Sequence, residues 1–256
     1  MKSKMPVMFV GHGSPMNIVE QNRFTDGWRE MAEAIPTPEG IVCLSAHWYG
    51  RGQAVSSPAR PETIHDFYGF PSELYEVRYP APGAPGLAEQ VAGLFPKTLS
   101  LDPDRGLDHG AWSVLRFMFP EARIPVCQMS LNAAFSPEES FKAGQCLAPL
   151  REEGILILGS GNVVHNLGLV NWDMAGGYGW ADDFDAYIQE AVSGHRPDLA
   201  LDFTQAGPAA QKAFFARDHY DPLLYVLGAS QKDEPVLVFN DERVMGALSM
   251  TSYIIG

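Results

Sequence analysis

Three times along the chain an apolar run of strand length stops at a small residue and is followed closely by a histidine. The first run is Met5 to Val10, ahead of Gly11-His12-Gly13-Ser14-Pro15. The second is Gly40-Ile41-Val42-Cys43-Leu44-Ser45-Ala46, ahead of His47. The third begins at Gly154, breaks at Gly159-Ser160-Gly161, and leads to Asn162, His165 and Asn166. Short apolar runs bounded by turn residues read as buried strands. The three histidines then fall just beyond strand carboxyl ends, where the loops of an open α/β sheet splay into a crevice. Glycines on both sides of His12 allow positive φ and close approach of a partner.

The segments between these runs carry helical patterns. Phe24, Trp28, Met31 and Ala32 share one face of a helix over 24–34, which Pro36 and Pro38 end. Helices are also expected over 85–95, 112–118 and 180–193. Ser136-Pro137-Glu138-Glu139 has the Ser, Pro and Glu order of a capping box and opens a helix reaching Arg151. Strands are expected over 54–57 and 124–131, with a closing antiparallel pair over 235–240 and 248–255. Strand, helix and strand at the amino-terminal end form a βαβ unit, which would let His12 and His47 meet across neighbouring strand ends. The expected fold is α/β, a single domain over 1–256, with a central mostly parallel or mixed sheet flanked by helices. A metal site is expected at the strand carboxyl ends.

Charge and cysteine usage narrow the function classes. Eighteen Lys and Arg against 31 Asp and Glu give a formal net charge of −13, which disfavours nucleic acid and anionic membrane surfaces as partners. Cys43, Cys127 and Cys146 show no paired spacing. That excludes a disulfide framework and fits a reducing, cytoplasmic setting. Cys43 and Cys127 lie in strand-like runs and read as core. No stretch is long enough for a transmembrane helix, and Met1–Pro6 leads into the first strand without a signal peptide. Gly159-Ser160-Gly161 lacks the lysine of a phosphate loop.

Of the seven histidines, His12, His47, His109 and His165 stand at element ends flanked by Gly, Asn or aromatic residues. His219 joins them at a local break before Pro222. His195, in Ser-Gly-His-Arg-Pro, reads as an exposed helix stop. Neutral imidazoles ligate zinc, iron, copper or nickel, and catalytic sites leave an open position for water or substrate. No HExxH or cysteine-rich motif is present, so such a site must be assembled from distant segments. Residues 58–86 form an ordered, aromatic-rich excursion covering one side of a pocket, with His65, Phe67 and Tyr68 as candidate lining. A turn in which His65 bonds Asp66 is the other reading of that histidine.

These residues resemble a known family. Gly11-His12-Gly13-Ser14-Pro15-Met16, Leu44-Ser45-Ala46-His47-Trp48, Thr63-Ile64-His65-Asp66-Phe67, Tyr79-Pro80-Ala81-Pro82-Gly83, Asp108-His109-Gly110, Gly161-Asn162-Val163-Val164-His165-Asn166 and His219-Tyr220 with Pro222-Leu223-Leu224-Tyr225 are similar to the DODA-type extradiol ring-opening dioxygenases of the LigB-type (class III) superfamily. The similarity runs in order through nearly the whole chain. It implies one metal ion per chain, Zn2+ or Fe2+, with His12, His47 and His219 as ligands. It gives His165 the place of the acid/base, treated in some bacterial members as a further ligand. It makes His109 a catalytic pocket residue that orients substrate or oxygen. The implied partners are a small aromatic diol, DOPA-like, and O2, with ring opening beside the diol to a semialdehyde. The better-studied ring-cleaving relatives place a glutamate where His219 stands; an all-histidine set suits zinc as well as iron. Two other readings of the same histidines are a zinc hydrolase using bound hydroxide and a non-enzymatic, Memo-like binding protein.

Overall fold

The computed structural model describes residues 4–256; the reading of Met1–Ser3 as lead-in without a signal peptide lies outside the described residues. Six strands build the central sheet: β1 (Val7–Gly11), β2 (Gly40–Ser45), β3 (Val126–Gln128), β4 (Ile155–Gly161), β5 (Val236–Phe239) and β6 (Ser252–Ile255). Their spatial order is β3-β2-β4-β1-β6-β5. The first four are mutually parallel, whereas β6 is antiparallel to both β1 and β5. The sheet is therefore mixed, and the expected antiparallel closing pair is present as β5 and β6.

The side chains alternate as strand geometry requires. Val7, Phe9, Val42 and Leu44 face one core, and Met8, Val10, Ile41 and Cys43 face the other. Helices cover both faces, so the strands read as continuous apolar runs. On one side lie α1 (Arg23–Glu33) and α2 (His109–Met118), contributing Trp28, Met31, Trp112 and Leu115. On the other lie α3 (Pro137–Leu147), α4 (Gly179–Ser193) and α5 (Asp221–Ala229), contributing Leu147, Phe184, Ile188, Leu223 and Val226. Ser136 and Glu139 form the expected capping box. Cys43 and Cys127 are buried, free thiols in the cores on opposite faces of the sheet. No helix among the described residues is long and apolar enough to cross a membrane.

Three local expectations are corrected. The first two strands are not neighbours: β4 lies between them, with Gly11 opposite Gly161 and Ser45 opposite Ser160. The long crossover through β3 and α3 brings the most apolar run of the chain to the centre, where both faces are covered. Second, the segment 124–131 is strand only over Val126–Gln128, because Leu131–Asn132 turns away to pair with Tyr49–Gly50. Third, His195 is half-buried rather than exposed and holds a left-handed backbone at φ +54°.

The arrangement delivers three histidines to one edge. β1, β4 and β2 end side by side, and the chain passes directly to His12, toward His165, and to His47. Gly13 makes the turn after His12 with φ +63°. Gly161 has a different role. A Cβ there would stand 2.1 Å from the carbonyl oxygen of His219, which accepts a hydrogen bond from the Asn162 amide at 2.9 Å. The missing side chain lets the segment before α5 lie directly on the strand end. Gly161→Ala is expected to destabilise the fold by about 1–3 kcal/mol through overpacking and to displace His219. Thermal unfolding with metal stoichiometry on the same sample checks both effects.

Candidate metal centre and active site

His12, His47, His109, His165 and His219 come together at this edge. Ring centroids of His12 and His47 are 5.1 Å apart, and those of His47 and His109 are 3.9 Å apart. His219 lies 5.2 Å from His12 and 5.1 Å from His47, and its ring stacks on His165 at 3.5 Å. The tightest set is His12, His47 and His109, whose candidate ligand atoms all lie within 4.8 Å of one another. His219 stands beside that trio rather than inside it.

The tautomers follow from the hydrogen bonds behind the rings. The Ser160 hydroxyl donates to the Gly110 carbonyl at 2.6 Å, so its oxygen accepts from His12 Nδ1 at 3.0 Å. Asp66 stands behind two rings, with Oδ1 2.9 Å from His109 Nδ1 and Oδ2 3.5 Å from His47 Nδ1. A carboxylate only accepts, so Nδ1 of His109 carries hydrogen. The Nε2 atoms of His12 and His109 are then bare lone pairs. Nε2 of His12 and Nε2 of His47 face each other at 3.2 Å. Two nitrogens at zinc-bonding distance in a tetrahedral set stand about 3.3–3.4 Å apart, so this spacing suits a shared cation. Both ring nitrogens of His219 are buried without a hydrogen-bond partner, although Nδ1 lies 3.1 Å from Asp218 Oδ1. Leaving a buried polar atom unsatisfied costs about 1–3 kcal/mol, and ligation answers that cost. The donor set fits a divalent transition metal.

Burial keeps the imidazoles of His12, His47, His165 and His219 neutral, which ligation requires. Desolvation first, then the neighbouring histidines, hold His12 and His219 well below the usual histidine range. His47 falls to about 4 through desolvation and His109, against the opposing pull of Asp108 and Asp66. His165 falls to about 4 through desolvation, opposed by the charge of Asp218. Burial by itself raises Asp66, but hydrogen bonds from the ring and backbone of His109, with His47 nearby, bring it down to about 2.

The histidines floor a cavity of about 350 Å³ whose walls include Phe67, Tyr68, Phe70, Leu167 and Trp172. Phe67 and Tyr68 are among the lining residues of this cavity. His65 lies outside this lining and does not bond Asp66: its Nε2 is 2.9 Å from the Val77 carbonyl, and its ring packs on Phe67 and Trp112. The sequence reading missed Asp66 and Ser160 as the groups behind the rings, and Asp218, Leu167 and Trp172 as wall residues. A carboxylate next to His65 in an aromatic loop was the available signal for Asp66. Asp108 caps α2 with Oδ1 accepting from the Ala111 amide at 3.2 Å, and Arg105 and Gln128 hold its Oδ2. That cap fixes the position of His109.

The family described as the catalytic LigB subunit of aromatic ring-opening dioxygenase matches residues 3–254. The 4,5-DOPA dioxygenase extradiol of Escherichia coli K12 is 42% identical over 261 residues, covering 99% of this chain and 96% of the relative. The 4,5-DOPA dioxygenase extradiol of Beta vulgaris is 34% identical, covering 96% and 94%. The crystal structure of an uncharacterized Escherichia coli K12 protein superposes with a TM-score of 0.85 at 38% identity, covering 98% of this chain and all of that one.

The neutral histidines also set an acid limit. His47 and His165 take protons near pH 4 in the folded protein but near 6.5 when unfolded. Below pH 6.5 the unfolded state therefore binds more protons, and stability falls as pH drops from 6.5 toward 4. Chelator-treated protein is expected to show a thermal midpoint that declines through this window. Asp66→Asn is expected to weaken metal affinity about 10–100-fold, read by competition with a chromogenic chelator.

Proposed function

The chain belongs to the LigB family of aromatic ring-opening dioxygenases, and from that premise we propose that it opens a catechol with a DOPA-like side chain, using His12, His47 and His219 to hold Fe2+. It is a metal-dependent extradiol dioxygenase; the hydrolytic and non-enzymatic readings are not favoured by its relatives. The DOPA-like substrate is carried over from the names of those relatives. The observation that carries the ligand assignment is His219, whose two buried ring nitrogens make no hydrogen bond, Nδ1 lying 3.1 Å from Asp218 Oδ1. His109 shares the tight trio with His12 and His47, but its Nδ1 is anchored on Asp66 and its Nε2 faces the same space. That suits a group that bonds substrate or oxygen as well as it suits a ligand.

When bound, the ion supplies chelation of the two diol oxygens and a redox couple between catecholate and dioxygen, and zinc lacks the second of these. The surrounding residues do the rest. His165 is neutral at physiological pH and its ring lies against His219, so it is placed to take a proton from the diol. The charge of Asp218 stabilises the imidazolium so formed. Phe67, Tyr68 and Phe70 stack on the ring and exclude water. One catalytic domain over 1–256, working in the cytoplasm with its three thiols reduced, completes this reading.

Fe2+-loaded protein is expected to consume O2 with L-DOPA, whereas Zn2+-loaded protein binds the catechol without turnover. An oxygen electrode on the two preparations decides this, and uptake with zinc alone would overturn the iron assignment. His12→Ala and His47→Ala are expected to abolish metal binding, and His219→Ala to lower stoichiometry further than His109→Ala, by elemental analysis. His165→Ala is expected to lower kcat about 10²–10⁴-fold with little change in catechol affinity; retained turnover refutes the proton-transfer role.

A further inference from the structure

Charge on the cavity wall is one-sided. No lysine or arginine lines the cavity among the described residues, and Asp218 is its one carboxylate. A second groove shares Ser14, Phe70 and Trp172 with this cavity; it adds Glu20 and again no cation. The arginines nearby are committed elsewhere. Arg217 donates to the Phe135 carbonyl and pairs with Asp221, and Arg105 pairs with Asp108.

Asp218 is itself half satisfied. Its Oδ1 accepts from the His219 amide at 2.8 Å and lies 3.1 Å from His219 Nδ1. Its Oδ2 has no hydrogen-bond partner among the described residues; the side chain is 35% exposed, and the residue lines the cavity. A free carboxylate oxygen on the wall of a site that binds an aromatic diol is an acceptor for a cation on the diol's side chain. The whole molecule points the same way, since a formal net charge of −13 attracts cationic ligands and repels anionic ones.

We propose that Asp218 is a specificity residue that receives the side-chain ammonium of the substrate, so that the site selects catechols bearing an amine over catechols bearing only a carboxylate. This rests on the catechol reading above. The side-chain carboxylate of a DOPA-like substrate goes unrecognised by any cation of the wall, and its ammonium makes the charged contact. Apolar wall residues, Leu167 and Trp172 among them, take the methylene tether.

The test uses Zn2+-loaded protein, in which catechols bind without being consumed, with calorimetric titration of dopamine, 3,4-dihydroxyphenylacetate and neutral 4-methylcatechol. Dopamine is expected to bind roughly two- to fivefold more tightly than the carboxylate, the size of a partly exposed ion pair, and the preference shrinks with added salt. Asp218→Asn collapses the dopamine to 4-methylcatechol ratio, whatever it does to absolute affinity through His219. Leu167→Arg, on a different segment, raises affinity for the carboxylate several-fold. The KM values of the Fe2+-loaded enzyme follow the same order. A flat ratio in wild type, or one unchanged in Asp218→Asn, overturns the amine preference while leaving the catechol reading standing. Failure of 4-methylcatechol to bind overturns the catechol reading, and the preference with it.

Discussion

Imidazole nitrogens of His12, His47, His109 and His219 converge at the floor of one cavity, and the rest of the site is built around that convergence. Lone pairs at this spacing repel, and only a shared cation makes the arrangement stabilising. The pocket must therefore hold its imidazoles neutral and point them the same way. Burial does the first, lowering the four shifted histidines of the cluster below the ordinary range. Ser160 and Asp66 do the second, each occupying an Nδ1 so that the opposite nitrogen is free. Neither task is local in sequence, since Ser160 lies 148 residues from His12 and Asp66 lies 43 from His109.

The topology answers that demand. Inserting β4 between β1 and β2 places three parallel carboxyl ends in a row, with His12 and His47 on the outer two. The rings reach each other over β4, whose end is glycine, serine and glycine. Those small residues leave space above the strand, into which the Ser160 hydroxyl and the backbone of His219 fit. The same three residues that look like a phosphate loop are thus a seat for two histidines. α2 and α5 then begin beside this row, the first with His109 at its start and the second just after His219.

Much of this was legible in the chain, and the remainder failed for identifiable reasons. The strand runs, the capping box at Ser136 and the histidines at element ends are local signals, and local physics produces them. Strand order is not local: the βαβ reading made β1 and β2 adjacent because nothing in either run records the later arrival of β4. His65 and His109 look alike as sequence, each next to an aspartate, yet Asp66 turns away from its neighbour to hold His109 and His47. That choice depends on where α2 begins, which Asp108 fixes by capping it. The shortened third strand likewise reflects a tertiary contest, as Leu131 gains more by pairing with Tyr49 than by extending β3.

The placement of carboxylates carries a further consequence. Histidine donors would leave the charge of a dication intact, whereas a carboxylate donor would cancel one unit at the ion itself. Here the negative groups stand one shell out: Asp66 behind two rings and Asp218 beside a third. They balance the charge of the pocket without occupying the donor positions, so the pull on an anionic diol is kept. With Asp218 on the cavity wall and no lysine or arginine there among the described residues, the field reverses sign within the one site. It attracts negative oxygens at the floor and a positive group at the wall. A molecule that is anionic at its ring end and cationic at its tail satisfies both, and a catechol carrying an amine is the simplest such molecule.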